Sequence, residues 1–476
     1  MSSVKNNYFW NVSFQFVRLV IPLVLTPYLT RTLGSEQLGV YSYTSSIATY
    51  FELFAFLGLN QYGTREIARY ASDRAKLSET FCSIFAMQFV WGSICTVAYY
   101  IYCLFFSKAY LACALAWGFW VLGEALDVTW LFFGLEDFKL TAIRNLAIRI
   151  ISVVCTFVFV KNPSDTWIYC LIMALYFFLA SLSLWPFVLK RVRFIRPRIN
   201  DVLRHVKPNL MLFAPVIAIS LYTQLDRILL GIFCDMDQVG FFDQSEKVVQ
   251  MPLSFITALG TVMLPHMSKL IRGDECESAS KLVRSSMLAS NVMACAFCFG
   301  IVGIAPVFVP VFFGDGFEPC KQIMPLLALE IPIIAWSNVL GMQCLIPQGK
   351  DKQYFTSVGI AALINVGLTF VLIPTFRAMG SAVATILTEL TVVFVQAFFL
   401  RSQLPIRVFV TDAIPFCAFS VAMMVVVRIV GGFTGATVLG LIIEILAGGL
   451  IYTALCLGYS VCSNNSLISD LVKRLR

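Results

Sequence analysis

Apolar residues in this chain come in long blocks separated by short polar turns. A helix crossing the hydrocarbon core of a bilayer needs about 20 mostly apolar residues. That length predicts about fourteen spans, at 9–31, 39–61, 81–106, 110–133, 143–160, 166–189, 209–233, 239–264, 285–312, 322–346, 354–375, 379–400, 406–430 and 436–461. No cleavable leader pattern precedes the first block, so Phe9 to Leu29 is expected to stay as a helix. The pattern predicts an all-α polytopic membrane protein. Composition agrees: of 476 residues 59% are hydrophobic and 13% charged, where a soluble protein carries about 25% charged residues. The mean hydropathy is +0.82.

One polar turn occurs twice. Glu36-Gln37-Leu38-Gly39-Val40-Tyr41 returns as Asp237-Gln238-Val239-Gly240-Phe241-Phe242. Each copy joins two apolar blocks, and an arginine (Arg18, Arg227) precedes it in the first block. Repeats of this kind mark transporters built from two halves. The lead block of each half is interrupted by proline, at Pro22 and Pro27 in the first and Pro215 in the seventh. Proline removes a helical hydrogen bond, and interrupted helices in matching positions point to a transporter's binding site.

Charge alternates between the connecting loops. One set is basic and includes Arg65, Arg69, Arg74 and Lys76, the run from Lys190 to Lys207, Lys350 with Lys352, and Lys473, Arg474 and Arg476 in the tail. The other set holds only Lys108, Lys161, Lys321 and Arg377. The positive-inside rule makes the first set, and both termini, cytoplasmic. That explains the net charge of +8 without nucleic acid, which is not expected as a partner. The cluster from Lys190 to Lys207 reads as a cytoplasmic linker, and binding to membrane lipid headgroups is an ordinary use of such a cluster.

Catalytic signals are missing from the sequence. The outward loops are too short for a catalytic domain, and Gly314-Asp315-Gly316-Phe317-Glu318 is a turn. No GxxxxGK[ST] phosphate loop is present, so no cofactor is expected and ATP is not hydrolysed by such a loop. A coupling ion, H+ or Na+, is left open. His205 and His266 fall in expected loops, and Cys295-Ala-Phe-Cys298 lies inside an apolar block, where cysteine packs as a small apolar residue.

The candidate site is drawn from ionisable residues inside the spans, which are costly there and face a bundle interior or a watery cavity. They are Arg18, Glu52, Glu124, Asp127, Arg149, Asp226, Arg227, Glu246, Lys247, Glu330, Glu389 and Glu444. One reading pairs them internally: Arg18 with Glu52, Arg149 with Glu124 or Asp127, and Asp226 with Lys247. The other makes some of the cations a site for an anionic substrate. A diphosphate suits them, because arginine binds phosphate oxygens bidentately and lysine acts as a point charge. The substrate-binding candidates are Arg18, Arg227, Lys247, Asp226, Arg149 and Glu52.

The chain resembles the polysaccharide flippases (Wzx type) of the multidrug/oligosaccharidyl-lipid/polysaccharide exporter superfamily. The resemblance rests on Pro27-Tyr28, Leu33-Gly34, Leu38-Gly39-Val40-Tyr41 and Tyr62-Gly63-Thr64-Arg65-Glu66-Ile67 in the first half. In the second it rests on Asp226-Arg227 with Gly231, Ser245-Glu246-Lys247, Leu264-Pro265, Leu345-Ile346-Pro347 with Gly349-Lys350, Asn365, Ile373-Pro374, Gly380 and Glu389. His266 and Phe242 depart from the usual Arg and Tyr. The resemblance implies a six-helix lobe over 1–207, including its linker, a second over 208–404, and two extra helices with a tail over 405–476. It implies alternating access that moves an undecaprenyl-diphosphate-linked oligosaccharide across the cytoplasmic membrane, in company with a polysaccharide polymerase and glycosyltransferases. A cation-coupled drug antiporter of the same superfamily is the alternative, and an enzyme of glycan assembly is a third reading that the short outward loops oppose.

Overall fold

The computed structural model describes residues 2–273 and 276–462, with side chains described throughout except at 2–20, 214, 215, 218, 219, 221, 222, 262, 272, 276 and 462. The described residues are helical almost throughout. In chain order the helices are α1 (Ser2–Phe56), α2 (Leu59–Arg69), α3 (Arg74–Phe106), α4 (Leu111–Leu126), α5 (Thr129–Gly134), α6 (Phe138–Phe159), α7 (Thr166–Leu182), α8 (Trp185–Arg191) and α9 (Ile199–Leu203). They continue with α10 (Val206–Phe233), α11 (Met236–Arg272), α12 (Cys276–Phe312), α13 (Cys320–Ala328), α14 (Glu330–Asn338), α15 (Asp351–Leu400), α16 (Ile406–Thr434) and α17 (Val438–Cys462). Among the described residues, 10 helical stretches are long and apolar enough to cross a membrane.

Two expected pairs of spans run together as single long helices. In α1 the break falls at Gly34 (φ 78, ψ 177), a left-handed backbone that glycine adopts at no steric cost. In α15 it falls at Arg377 (φ 52, ψ −133). His266, expected in a loop, lies inside α11, because that helix continues to Arg272.

The helices turn their apolar faces outward. On α3, Val90, Ile94, Val97, Ile101 and Leu104 recur at spacings of three and four and are 51–60% exposed. A stripe at that period covers one helix face, and here it is the uncovered face, as a helix facing lipid requires.

The chain divides into two compact units, one of residues 1–231 with 235–240 and the other of residues 232–234 with 241–476. In the first, Phe81 of α3, Trp130 and Phe132 of α5, Ile67 of α2 and Val188 of α8 build one buried core. The α3 helix starts on Asp73, whose carboxylate accepts from the backbone N–H groups of Ala75 and Lys76, satisfying two of the donors a helix start leaves open. In the second unit, Met287 of α12, Leu340, Leu400 of α15 and Phe409 of α16 form one core. The two last helices pack on α12: Tyr452 of α17 donates to the Val292 carbonyl at 2.8 Å, and Arg284 pairs with Asp412 of α16 at 3.1 Å.

Candidate functional site

The first copy of the repeated turn meets residues 237–240 of the second within the first unit. The Ser35 hydroxyl donates to the Asp237 carboxylate. A Cβ on Gly39 would lie 2.6 Å from the Met236 carbonyl carbon, and one on Gly240 would lie 3.0 Å from the Ser35 carbonyl carbon, with the oxygens closer still. Each glycine therefore lets the other copy's backbone come to its surface. This close approach starts a seam between α1 and α10. Further along it, Ser46 donates to Gln224 Oε1 at 3.3 Å and Tyr50 donates to the Ser220 carbonyl at 3.1 Å. Asp226 lies on the same seam, 3% exposed and within electrostatic reach of Tyr50. Next to it, the Arg227 guanidinium donates to the Thr223 carbonyl at 2.8 Å.

A second polar cluster forms where α4 gives way to α5. The Asp127 carboxylate accepts from the Thr129 N–H at 2.7 Å and starts α5. The interruption frees carbonyls, and Gln88 of α3 takes them: its Nε2 donates to the carbonyls of Glu124 at 2.6 Å and Asp127 at 2.7 Å. Its Oε1 accepts from Trp130 Nε1 at 3.0 Å. Irregular backbone at membrane depth persists only with such partners. Around this break stand three carboxylates, Glu52, Glu124 and Asp127, within electrostatic reach of one another. Trp120 Nε1 donates to Glu124 Oε1 at 3.2 Å. Among the described residues no group of three or more His, Cys, Asp or Glu is arranged to hold a metal ion.

The described contacts place Arg149 away from the carboxylates expected beside it. Arg149 forms no salt bridge among the described residues; its guanidinium lies over the Tyr176 ring at 5.1 Å, and Nη1 reaches Met173 Sδ at 3.3 Å. The cation within reach of Asp127 is Arg144 instead, which donates to the Ala180 carbonyl. Arg149 is held by α7, and a contact between neighbouring helices has no signature in either helix's own sequence. Lys247 pairs with Asp243, one turn earlier on α11, at 2.6 Å. Asp243 is absent from the residues expected at membrane depth, although the i,i+4 spacing of acid before base is a visible signal. The side chain of Arg18, and with it the expected pair with Glu52, lies outside the described residues. Elsewhere in the second unit, Gln250 Nε2 and Glu330 Oε1 are 3.5 Å apart, and Asn365 donates to Thr388 at 3.1 Å. Cys295 joins Leu288 and Phe416 in a buried apolar cluster, and Cys298 is buried.

The fold is that of a polytopic membrane transporter. It is similar to the structure titled "Lipid II flippase MurJ, inward closed conformation", with a TM-score of 0.77 and 13% identity over 95% of this chain and 99% of that one. It is also similar to an inward-facing multidrug resistance MATE family transporter of the MOP superfamily, with a TM-score of 0.60 and 12% identity over 83% of this chain and 99% of that one. The chain belongs to the family described as "Polysaccharide biosynthesis protein", whose model matches residues 4–271. Among its relatives is the Escherichia coli (strain K12) protein named "Putative O-antigen transporter", 22% identical over 84% of this chain and 97% of that one. A protein of the same name from Shigella dysenteriae is 25% identical over 79% of this chain and 94% of that one.

Proposed function

We propose that this protein is a flippase that carries undecaprenyl-diphosphate-linked oligosaccharide repeat units across the cytoplasmic membrane for surface polysaccharide assembly. The observation that carries the reading is the similarity to the Escherichia coli relative named as an O-antigen transporter, which spans 84% of this chain and 97% of that one. It is a transporter and not an enzyme on this reading. The basic loops and both termini face the cytoplasm, in keeping with the positive-inside rule. The lobes are 1–207 and 208–404, followed by the additional helices of 405–476.

The substrate diphosphate is held in turn by Arg18, Arg227 and Lys247, with Arg149 contributing positive potential and Asp226 and Glu52 setting the charge around them. Transport proceeds by alternating access, in which the lipid binds two conformations with different contacts. Glycosyltransferases supply the repeat unit, and a polysaccharide polymerase consumes it. The cluster of Glu52, Glu124 and Asp127 favours a second reading, coupling to H+ or Na+, as in a cation-coupled drug antiporter.

Complementation separates the readings. In a strain lacking its O-antigen flippase, this chain is expected to restore glycan at the cell surface. Restored drug resistance with no surface glycan would replace the flippase reading with the antiporter.

A further inference from the structure

A charged cavity of about 350 Å³ lies in the first unit between α2, the first turns of α3 and the turn from α9 into α10. Its lining includes Tyr62, Arg65, Glu66, Arg69, Arg204 and His205. One carboxylate organises one side: Glu66, 11% exposed at its side chain, lies 2.9 Å from Arg69 Nη1 and 3.7 Å from Arg65 Nε. Arg65 also lies over the Tyr62 ring at 5.8 Å. Across the cavity, Arg204 lies 3.6 Å from Asp201, and its Nε donates to His205 Nε2 at 3.4 Å.

That last contact assigns the tautomer. If Nε2 accepts, Nδ1 carries the imidazole proton, and the Tyr62 hydroxyl, 2.6 Å from Nδ1, accepts it. The phenol then keeps its own proton for another acceptor. His205 is neutral at neutral pH, because burial first and the Arg204 charge second hold it down to about 4. The lining residues thus carry three arginine charges against one carboxylate, and Asp201 beside Arg204 offsets one more, which leaves a net positive cavity. The guanidinium forks are held by short-range partners and still present further N–H donors, and such forks match phosphate oxygens.

The surroundings indicate where that phosphate is anchored. Ile199, Leu203, Leu210 and Met211 flank Arg204 in sequence and are 74%, 59%, 47% and 69% exposed. Exposed apolar side chains that flank a cavity arginine in sequence fit an amphiphile whose charged head enters the cavity while its chains lie along them.

We infer that Tyr62, Arg65, Arg69 and Arg204 form a binding site for a lipid headgroup that presents several free phosphate oxygens, such as a phosphomonoester or diphosphate lipid. The site is distinct from Arg18, Arg227 and Lys247, and it stands whether or not the chain transports a glycan. A phosphodiester lipid presents fewer free oxygens to the guanidinium forks and binds more weakly.

The test uses the full-length protein in detergent, titrated with short-chain phosphatidic acid, short-chain phosphatidylglycerol or inorganic diphosphate, with the melting temperature as readout. Phosphatidic acid is expected to raise it saturably, at a concentration about tenfold below that needed with either other ligand. Removing one charge-assisted contact costs roughly tenfold or more in affinity, so Arg65→Gln with Arg204→Gln abolishes the shift. Arg204→Lys keeps the charge, loses the fork and weakens binding severalfold, which gives a reading even where the double variant folds poorly. Equal phosphatidic acid binding by the wild type and Arg204→Lys, or by the wild type and a folded double variant, would overturn the site. Inorganic diphosphate binding as tightly as phosphatidic acid would overturn the lipid assignment in favour of a soluble anion.

Discussion

Replacing Gly39 or Gly240 with alanine drives a methyl group into backbone rather than into a yielding side chain. On Gly39 the new carbon would sit 2.6 Å from the Met236 carbonyl carbon, and on Gly240 it would sit 3.0 Å from that of Ser35. Carbon atoms in a packed interior rest about 3.5–4 Å apart, and the carbonyl oxygens lie closer still, so the two backbones must part by at least about 1 Å. Overpacking of this kind costs about 1–3 kcal/mol. Neither glycine has a positive φ, so alanine is conformationally acceptable and even returns up to about 1 kcal/mol of helix propensity. The expected net loss is about 1–2 kcal/mol for each variant. Gly359 and Gly367 on α15 have nothing within 4 Å of the place a methyl group would take, and their alanine variants supply the propensity gain alone. Thermal melts of the four purified variants in detergent check this: Gly39→Ala and Gly240→Ala should melt below the wild type, and Gly359→Ala and Gly367→Ala at or above it. The double variant Gly39→Ala, Gly240→Ala should lose less than the sum, because one methyl already opens the crossing the other needs open. If the two turn variants melt together with the α15 controls, the close approach of the repeated turns is wrong.

Three further outcomes are expected. Gln88→Leu removes one partner each from the Glu124 and Asp127 carbonyls and the Trp130 N–H; Trp130 Nε1 still reaches the Asp127 carbonyl at 3.2 Å and the Asp127 N–H still reaches the Glu124 carbonyl at 3.4 Å, so the loss is about 1–3 kcal/mol in all, read as a lower melting temperature, while Gln88→Glu falls less. Lys247→Gln removes one partner of Asp243, whose side chain is 5% exposed against 40% for the lysine; allowing for that exposure the loss is about 1–3 kcal/mol, and adding Asp243→Asn should recover stability without recovering surface glycan. His205 gives a pH dependence. The folded protein holds it near 4, whereas an unfolded histidine binds its proton near about 6.5. Between those values the unfolded chain therefore binds more protons, so stability is full above about 6.5 and falls as the pH drops towards 4, by roughly 2 kcal/mol after screening at the adjoining cavity. Chemical melts of the wild type and His205→Gln across that range should show the slope in the first and a flatter line in the second.

Much of the fold is legible in the chain because membrane helices are written in runs. Block length locates the helical stretches, and the turn that repeats around Gly39 and Gly240 marks the residues that come together in the first unit. Other features depend on contacts between helices. Nothing near Asp127 in the sequence says that α4 stops there, since the freed carbonyls are taken by Gln88, about forty residues earlier in the chain. Arg149 is expected beside carboxylates but rests on Tyr176 and Met173, because the face α6 turns to α7 is set by packing. Lys247 and Asp243 share one helix, and their spacing is readable. Tyr62 and His205 are visible only as a motif tyrosine and a loop histidine, and folding makes them neighbours.

The central claim is transport of a lipid-linked oligosaccharide by the protein alone, and a reconstituted system addresses it most directly. Purified protein is placed in liposomes with a fluorescent undecaprenyl-diphosphate oligosaccharide, without nucleotide, and the fraction of lipid reaching the opposite leaflet is followed by an impermeant quencher. The account predicts translocation well above protein-free liposomes, lost in Arg227→Gln protein that melts like the wild type. No translocation by folded protein, or translocation that appears only when ATP is added, would contradict it.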